Sequence, residues 1–417
     1  MEQFAALVAI DWSDTKHDVC LLDVATGKIE SGILTHTPEA LEAWATALRT
    51  RSAGQPIAVC LEQSRGPLIY ALLKYDFLVL YPINPATLAK YREAFSPSRA
   101  KDDPQDADYL LELLFHHRDR LKPWQPDNAK TRTLQYLAEH RRRLVNDRTR
   151  ISNRMTALLK AYFPQVLQWF DDIRTPLVCE FLLHWPTLEA VQKVRPATLE
   201  KFFREHNSVR KETLAHRIAA IKVAVPLTTD PAVLHSSVLM IEALATQMKA
   251  TIEALRAFDH EIEQLCRTHE DYPLFASLPG AGPVYAARLT AALGTDRNRW
   301  ITVEELLCFS GVAPVLERSG KSTWIRWRYF CPKFLRQSFH AYAGESINHS
   351  FWAKAYSMSQ RARGKSHQAA VRALAFKWIR IIYKCWQTRT PYSEVRYLES
   401  LRKKGSPLLA YVANNPS

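Results

Sequence analysis

The sequence predicts an α/β N-terminal domain, then a long helical or coiled-coil region, then a mainly α-helical C-terminal domain. Three observations carry this. Short apolar runs alternate with amphipathic segments up to residue 116. Heptad-like apolar spacing takes over between about 127 and 266. From Arg318 to Ser393 there are fifteen Lys/Arg against one acid, Glu345, so this one segment holds the whole net charge of +14. At 417 residues the chain is long enough for two or three domains with packed cores.

The N-terminal elements come in order. Residues 5–11 and 18–23 read as strands, with Thr26-Gly27 turning into a third near 28–35. Leu41, Trp44, Ala45 and Leu48 share one face of a predicted helix over 38–50. A strand at 56–61, a helix at 67–75, a strand at 77–81 and a helix at 85–94 come next. The helix over 104–116 opens at Pro104 with Asp103 as its N-cap. A meander followed by alternating helices and strands indicates a mixed sheet.

Leu134, Leu137, Leu144, Ile151, Met155, Leu158 and Leu159 then recur at helical spacing. Arg141-Arg142-Arg143, Arg148, Arg150 and Arg154 line the same stretch, predicting a long helix with an arginine-rich face. Beyond it, Pro164, Pro176 and Pro186 break the chain into short pieces. Apolar spacing returns over 233–266, at Val233, Leu239, Ile241, Leu244, Met248, Ile252 and Leu255. A helical hairpin arm and a coiled-coil dimer seam both fit it. Ser277 to Pro283, with Gly280 and Gly282, joins two helices. It is either a helix-hairpin-helix element whose glycine amides hold a phosphate or a plain connection. The expected domains are 1–125, 126–268 and 269–404, with a disordered tail at 405–417.

The seven cysteines lack a Cys-x-x-Cys pair, which argues against a zinc finger and fits a reducing cytoplasm. No apolar run approaches the ~20 residues of a membrane span, and the N-terminus enters a strand pattern with no signal peptide. A basic balance confined to one segment reads as a phosphate-binding surface. Aromatics interleave with the charges at Trp324, Trp327, Tyr329, Phe330, Phe334, Phe339 and Tyr342. Some can stack on unpaired bases and several must be core.

Two sets of residues carry chemistry. Asp11 and Glu62 end strand-like runs, and Asp103 and Asp106 lie three apart in a first helical turn, so they face one side. Carboxylates from several elements suit the hard oxygen-seeking Mg²⁺ (or Mn²⁺) of phosphoryl transfer. Two from strands and two from a helix fit the layout of RNase H-like nucleases. Asp14, Asp18, Asp102 and Asp108 are competitors. The second set surrounds Ser319. A serine hydroxyl needs activation to attack, and Arg318, Lys321, Arg326 and Arg328 can stabilise a phosphate there. No histidine lies within 20 residues, so a base must come from elsewhere. Ser322 is the rival on the same loop.

These residues resemble a family. Val8-Ala9-Ile10-Asp11, Leu61-Glu62, Lys101-x-Asp103-x-x-Asp106-Ala107, Arg148-Thr149 with Asn153-Arg154, Leu278 to Pro283, Phe309 to Pro314, Arg318-Ser319-Gly320 and Arg361 to Lys365 are similar, in order, to motifs of the DEDD transposases of the insertion sequence 110 family, related to pilin-gene invertases. The resemblance implies a RuvC-like N-terminal domain holding Mg²⁺ on Asp11, Glu62, Asp103 and Asp106. It implies a C-terminal domain whose serine links covalently to DNA through a 5′-phosphodiester. Donor and target DNA, a structured noncoding guide RNA and a homo-oligomer would be the partners, in a bacterial, nucleoid-associated protein. Nucleic-acid contacts are expected at Arg142, Arg148, Arg154, Gly280, Gly282, Arg318, Lys321, Arg326, Arg328, Lys333 and Arg336. The chain departs from the family at Arg318, where a first serine is usual, and in the aromatic run Trp324 to Arg328. A metal-dependent nuclease or junction resolvase without a covalent intermediate is the alternative, and a non-catalytic nucleic-acid-binding protein a third reading.

Overall fold

The computed structural model describes residues 4–62, 66–95, 103–206, 208, 210–320 and 322–409, the side chains of 103 and 104 excepted. The chain divides into two compact units, residues 1–126 and 127–417. The expected boundary at 125 therefore falls at the edge of a unit, whereas the one at 268 lies inside the second.

In the first unit β1 (Ala6–Asp11), β2 (Lys16–Asp23) and β3 (Ile29–Thr35) form the expected meander. Then come α1 (Pro38–Arg51), β4 (Ile57–Leu61), α2 (Pro67–Leu72), β5 (Leu78–Pro82), α3 (Pro85–Phe95) and α4 (Asp103–His117). The sheet order is β3-β2-β1-β4-β5, with β4 parallel to both β1 and β5. Every residue of β1 and β4 is buried, as expected of central strands covered on both faces. Alternation splits their side chains. Val8, Ile10, Val59 and Leu61 pack against Leu41, Ala45 and Leu48 of α1 and Leu68, Ile69 and Leu72 of α2. Leu7, Ala9, Ala58 and Cys60 face Leu88 of α3 and Leu110, Leu111 and Leu114 of α4. At β3 the sheet ends in an edge where Ile29 and Ile33 are exposed.

Two long helices dominate the second unit, α5 (Ala129–Tyr162) and α11 (Pro231–Arg267), about 50 Å and 55 Å long at ~1.5 Å per residue. Between them lie α6 (Val166–Trp169), α7 (Pro176–His184), α8 (Leu188–Gln192), α9 (Pro196–Glu205) and α10 (Lys211–Val223). Pro176 and Pro196 start α7 and α9, where a missing N–H costs nothing. Ile151, Met155 and Leu159 of α5 meet Ile241, Leu244, Met248 and Ile252 of α11 in one core with these short helices. The second heptad-like run thus finds its partner within the chain, as a helical hairpin arm. Leu239, counted in that run, is exposed instead.

At the base of the arm, Leu134 and Ala138 of α5 and Ile262 and Cys266 of α11 pack on Ala287 and Ala291 of α13 (Gly282–Leu293). This is why residue 268 does not bound a separate body. α12 (Tyr272–Ala276) precedes α13. α14 (Val303–Phe309), the hairpin β6 (Val315–Ser319) and β7 (Ser322–Arg326), α15 (Lys333–Ser346), α16 (Phe351–Ala362), α17 (His367–Thr388) and α18 (Glu394–Lys403) complete the unit. Its core is aromatic, with Phe339, Tyr342, Trp352, Trp378 and Trp386 buried. Residues 407–409, placed in the expected disordered tail, make a further helical turn, and Leu408 joins that core. Residues 410–417 of that tail lie outside the described residues. Among the described residues no helix is long and apolar enough to cross a membrane.

Candidate functional site

The strand register sets the acidic site. Asp11 ends β1 and is buried. β1 and β4 run parallel with Ile10 beside Leu61, so one residue further Asp11 lies beside Glu62, at the C-terminal ends of neighbouring strands. Period-two alternation puts Asp11 with Leu7 and Ala9, and Glu62 with Ala58 and Cys60, on the face that α4 covers. Asp18 is the antiparallel partner of Asp11 and shares that face. Asp108, another competitor in the sequence, lies beside Cys20 on the same face.

Two contacts orient α4. Arg118, just past its C-terminus, lies over the Phe4 ring at 5.0 Å. The Cys60 thiol donates to the Leu110 carbonyl at 3.1 Å. The helix therefore runs against β1 and brings its first turns towards the strand ends where Asp11 and Glu62 sit. Asp106, in those turns, is buried and held by Arg92 of α3, Nε to Oδ1 at 2.7 Å and Nη2 to Oδ2 at 2.7 Å. The Asp103 side chain lies outside the described residues.

Behind Asp11 the turn into β2 is locked by His17, which is fully buried. The Ser13 N–H donates to its Nδ1 at 3.2 Å, so Nε2 carries the proton and donates to His36 Nδ1 at 2.9 Å. Burial first, and His36 second, push the His17 pKa down to about 4.

The donors fit a hard divalent ion in kind, since all are carboxylate oxygens. Among the described residues, however, no three metal-binding side chains converge on one point, and Asp106 is engaged by a guanidinium.

Ser319 ends β6 at the tip of an exposed hairpin, with Ser322 as its cross-strand partner. Gly320 has φ of 56°, the left-handed geometry that a tight hairpin turn requires. Lys321 lies outside the described residues. Arg318 pairs with Thr323 in register and is exposed. Arg326 reaches Glu317 Oε2 through Nε at 2.9 Å across the hairpin, an exposed ion pair. Arg328 gives its carbonyl to Arg336 Nη1 at 3.3 Å. Lys333 is exposed at the first turn of α15. The hairpin was not legible as strands, because every residue from Leu316 to Arg326 described is exposed and no burial alternation marks it.

Arg142, Arg148 and Arg154 do not share a face. Successive members are six residues apart, about 240° around a helix. Arg142 approaches Arg288 of α13, Arg148 lies in the field of Asp172, and Arg154 Nη2 reaches Met240 Sδ at 3.8 Å. The two glycines before α13 also differ. At Gly280 (φ 73°) an added Cβ would come within 2.4 Å of the His349 ring, so glycine is required there for packing. Gly282 faces open space, leaving it the position that a phosphate can approach.

Arg92, Arg288, Arg372 and His340 were missed. Arg288 did leave a signal: it is the one charge in Ala286-Ala287-Arg288-Leu289-Thr290-Ala291-Ala292. Arg92 and Arg372 resemble ordinary surface arginines in sequence.

Comparison with known proteins comes to the same place. Residues 8–164 match a family described as "Transposase", the DEDD transposases of IS110, and residues 272–358 match "Transposase IS116/IS110/IS902 family". The chain is 27% identical over 402 residues to the mini-circle putative transposase for IS117 of Streptomyces coelicolor, covering 95% of this chain and 97% of that one. It is 26% identical to the 43.6 kDa protein of insertion element IS110 of the same organism, over 71% of this chain and 73% of the other. To the putative transposase y4uE of Sinorhizobium fredii it is 28% identical, over 49% of this chain and 58% of the other.

Proposed function

This chain belongs to the IS110 family of insertion-sequence transposases, and we propose that it cuts and rejoins DNA through a serine–DNA intermediate. The observation that carries the acidic half is the juxtaposition of Asp11 and Glu62 on adjacent parallel strand ends, on the face covered by α4 with Asp106 in its first turns. The mixed sheet with its antiparallel meander supports the RNase H-like reading of that unit. Asp11, Glu62, Asp103 and Asp106 are the residues that would hold Mg²⁺ or Mn²⁺. When bound, such an ion supplies charge neutralisation for the transferring phosphate.

Ser319 is the nucleophile of this reading. Its Oγ forms a bond to phosphorus as the P–O3′ bond breaks, and the 3′ oxygen leaves as a hydroxyl. The 5′ end stays on the protein as a phosphodiester. Attack by a new 3′-hydroxyl reverses the step and frees the serine, so the number of ester bonds is conserved and no energy source is needed. The exposed hairpin tip supports this role, since a scissile phosphate can reach it. With no histidine within 20 residues, the serine proton passes to a base outside the hairpin. Target choice by a structured RNA through base pairing and action as a homo-oligomer complete the proposal.

The test is trapping. The protein is incubated with Mg²⁺, the flanking RNA and a DNA spanning the element junction, then denatured. We expect a covalent adduct that is lost in Ser319→Ala and Asp11→Asn and kept in Ser322→Ala. Nicked DNA with free ends and no adduct would point instead to a plain metal-dependent nuclease. An adduct kept in Ser319→Ala and lost in Ser322→Ala would move the nucleophile across the hairpin.

A further inference from the structure

We propose that the second unit carries a pocket for the phosphodiester of an unpaired nucleic-acid strand, formed by Arg142, Arg336, Arg372 and Trp327 and backed by the buried Arg288. The inference rests on the nucleic-acid reading above, and goes beyond it by separating a strand-holding site from the cutting residues.

The cavity is about 230 Å³ and its walls come from α5, α15, α17 and the segment after β7. That is more than ten times the ~10–15 Å³ that one water needs. Three arginines and His340 line it, and among the described residues no carboxylate does. Surface arginines normally find acids or water. Here Nε of Arg142 and Nε of Arg372 are buried without a hydrogen-bond partner. The Arg372 guanidinium lies over the Trp327 ring, a cation–π contact that uses none of its N–H donors for an acid.

Arg288 is the stronger observation. It is 7% exposed, with Nε and Nη2 lacking any hydrogen-bond partner. Its surroundings are Arg142 and the rings of Tyr285 and Phe334, with no counter-ion among the described residues. Arg141 is also near but is neutralised by Asp259, Nη2 to Oδ2 at 3.1 Å. Burial, and then repulsion from Arg142, lower the Arg288 pKa to about 10. A buried unpaired charge is costly. A phosphate beside Arg142 would offset both the desolvation and the repulsion.

The neighbouring chain segment favours an unpaired strand over duplex. Trp324, Tyr329 and Phe330 are exposed by 50%, 78% and 73% on either side of Trp327. Such side chains are stacking platforms for bases that have left a helix. A duplex keeps its bases stacked and paired, so these exposed rings would have no base to stack on.

The experiment uses the full chain and fluorescence anisotropy with three labelled probes: a dT12 strand, a U12 strand and a 12-base-pair duplex. Arg336→Gln and Arg372→Gln should each weaken single-strand binding at least tenfold and duplex binding less than twofold. Each should also lower the single-strand salt slope by about 0.7, the value for one phosphate contact. A preference for dT12 or U12 tells which strand the pocket serves. Arg288→Met guards against misfolding artefacts. It should raise the melting temperature of the free protein and abolish the further rise that dT12 or U12 gives the wild type. Equal loss on all three probes would reduce the site to a general basic surface and overturn the proposal. Single-strand binding unchanged in the Arg336→Gln, Arg372→Gln double variant would overturn it too. In both cases the recombination reading survives, whereas a wild type that binds none of the three probes would sink both.

Discussion

Replacing Arg92 by glutamine tests the arrangement around Asp106. The guanidinium and carboxylate make two contacts of 2.7 Å, with side chains 17% and 1% exposed. Removing the guanidinium takes a charged partner from a buried carboxylate, which costs up to about 3–5 kcal/mol. For a unit of this size that amounts to a fall in melting temperature of roughly 10–20 °C. If Asp106 belongs to the metal set, the variant also frees a carboxylate for the ion. At a magnesium concentration ten times the dissociation constant, linkage restores about 1.4 kcal/mol. Differential scanning calorimetry of wild type and variant, with EDTA and with 10 mM Mg²⁺, reads both effects. We expect a large loss in EDTA and a magnesium-dependent recovery greater in the variant than in wild type. An Arg92→Gln protein as stable as wild type would show that the pair contributes nothing. A destabilised variant blind to magnesium would remove Asp106 from the metal set.

Single positions give two further outcomes. Gly280→Ala should destabilise the second unit by about 2–4 kcal/mol, combining left-handed strain with displacement of His349, while Gly282→Ala costs only about 1–2 from strain; urea unfolding measures the difference, and equal losses would remove the packing role from Gly280. His17, whose pKa falls from 6.5 to about 4 on folding, binds its proton more readily in the unfolded chain. Its contribution is therefore present above pH 6.5 and is lost as the pH falls towards 4, by at most about 3 kcal/mol. A His17→Phe variant should flatten that part of the stability–pH curve, and an unchanged slope would refute the depressed His17 pKa.

The N-terminal unit was legible because its signals are local. Fully apolar runs at Ala6–Ile10 and Ile57–Leu61 can be little else than central strands, and Gly27, Pro38 and Pro85 punctuate them with their own backbone limits. Asp11 and Glu62 could be singled out because each polar residue interrupts such a run at its end. The two long helices were equally plain from period alone.

Period, however, does not name a partner. The apolar positions of α11 serve a dimer seam as well as a hairpin, and only the tertiary fold, by packing Ile241, Leu244 and Met248 on Met155 and Leu159, decided between them. Charge behaves likewise. Composition located the basic segment, yet Arg326 pairs across its hairpin with Glu317 while Arg288, outside that segment, is buried with Nε and Nη2 lacking a hydrogen-bond partner. The partner of a charge is set by distances in space between residues far apart in the chain, as for Arg142 and Arg288. The sequence by itself determined the N-terminal elements, the two long helices, the acids at the strand ends and the family; the β6–β7 hairpin, the register of β1 with β4, the hold of Arg92 on Asp106 and the convergence of arginines from three helices exist only once those elements pack.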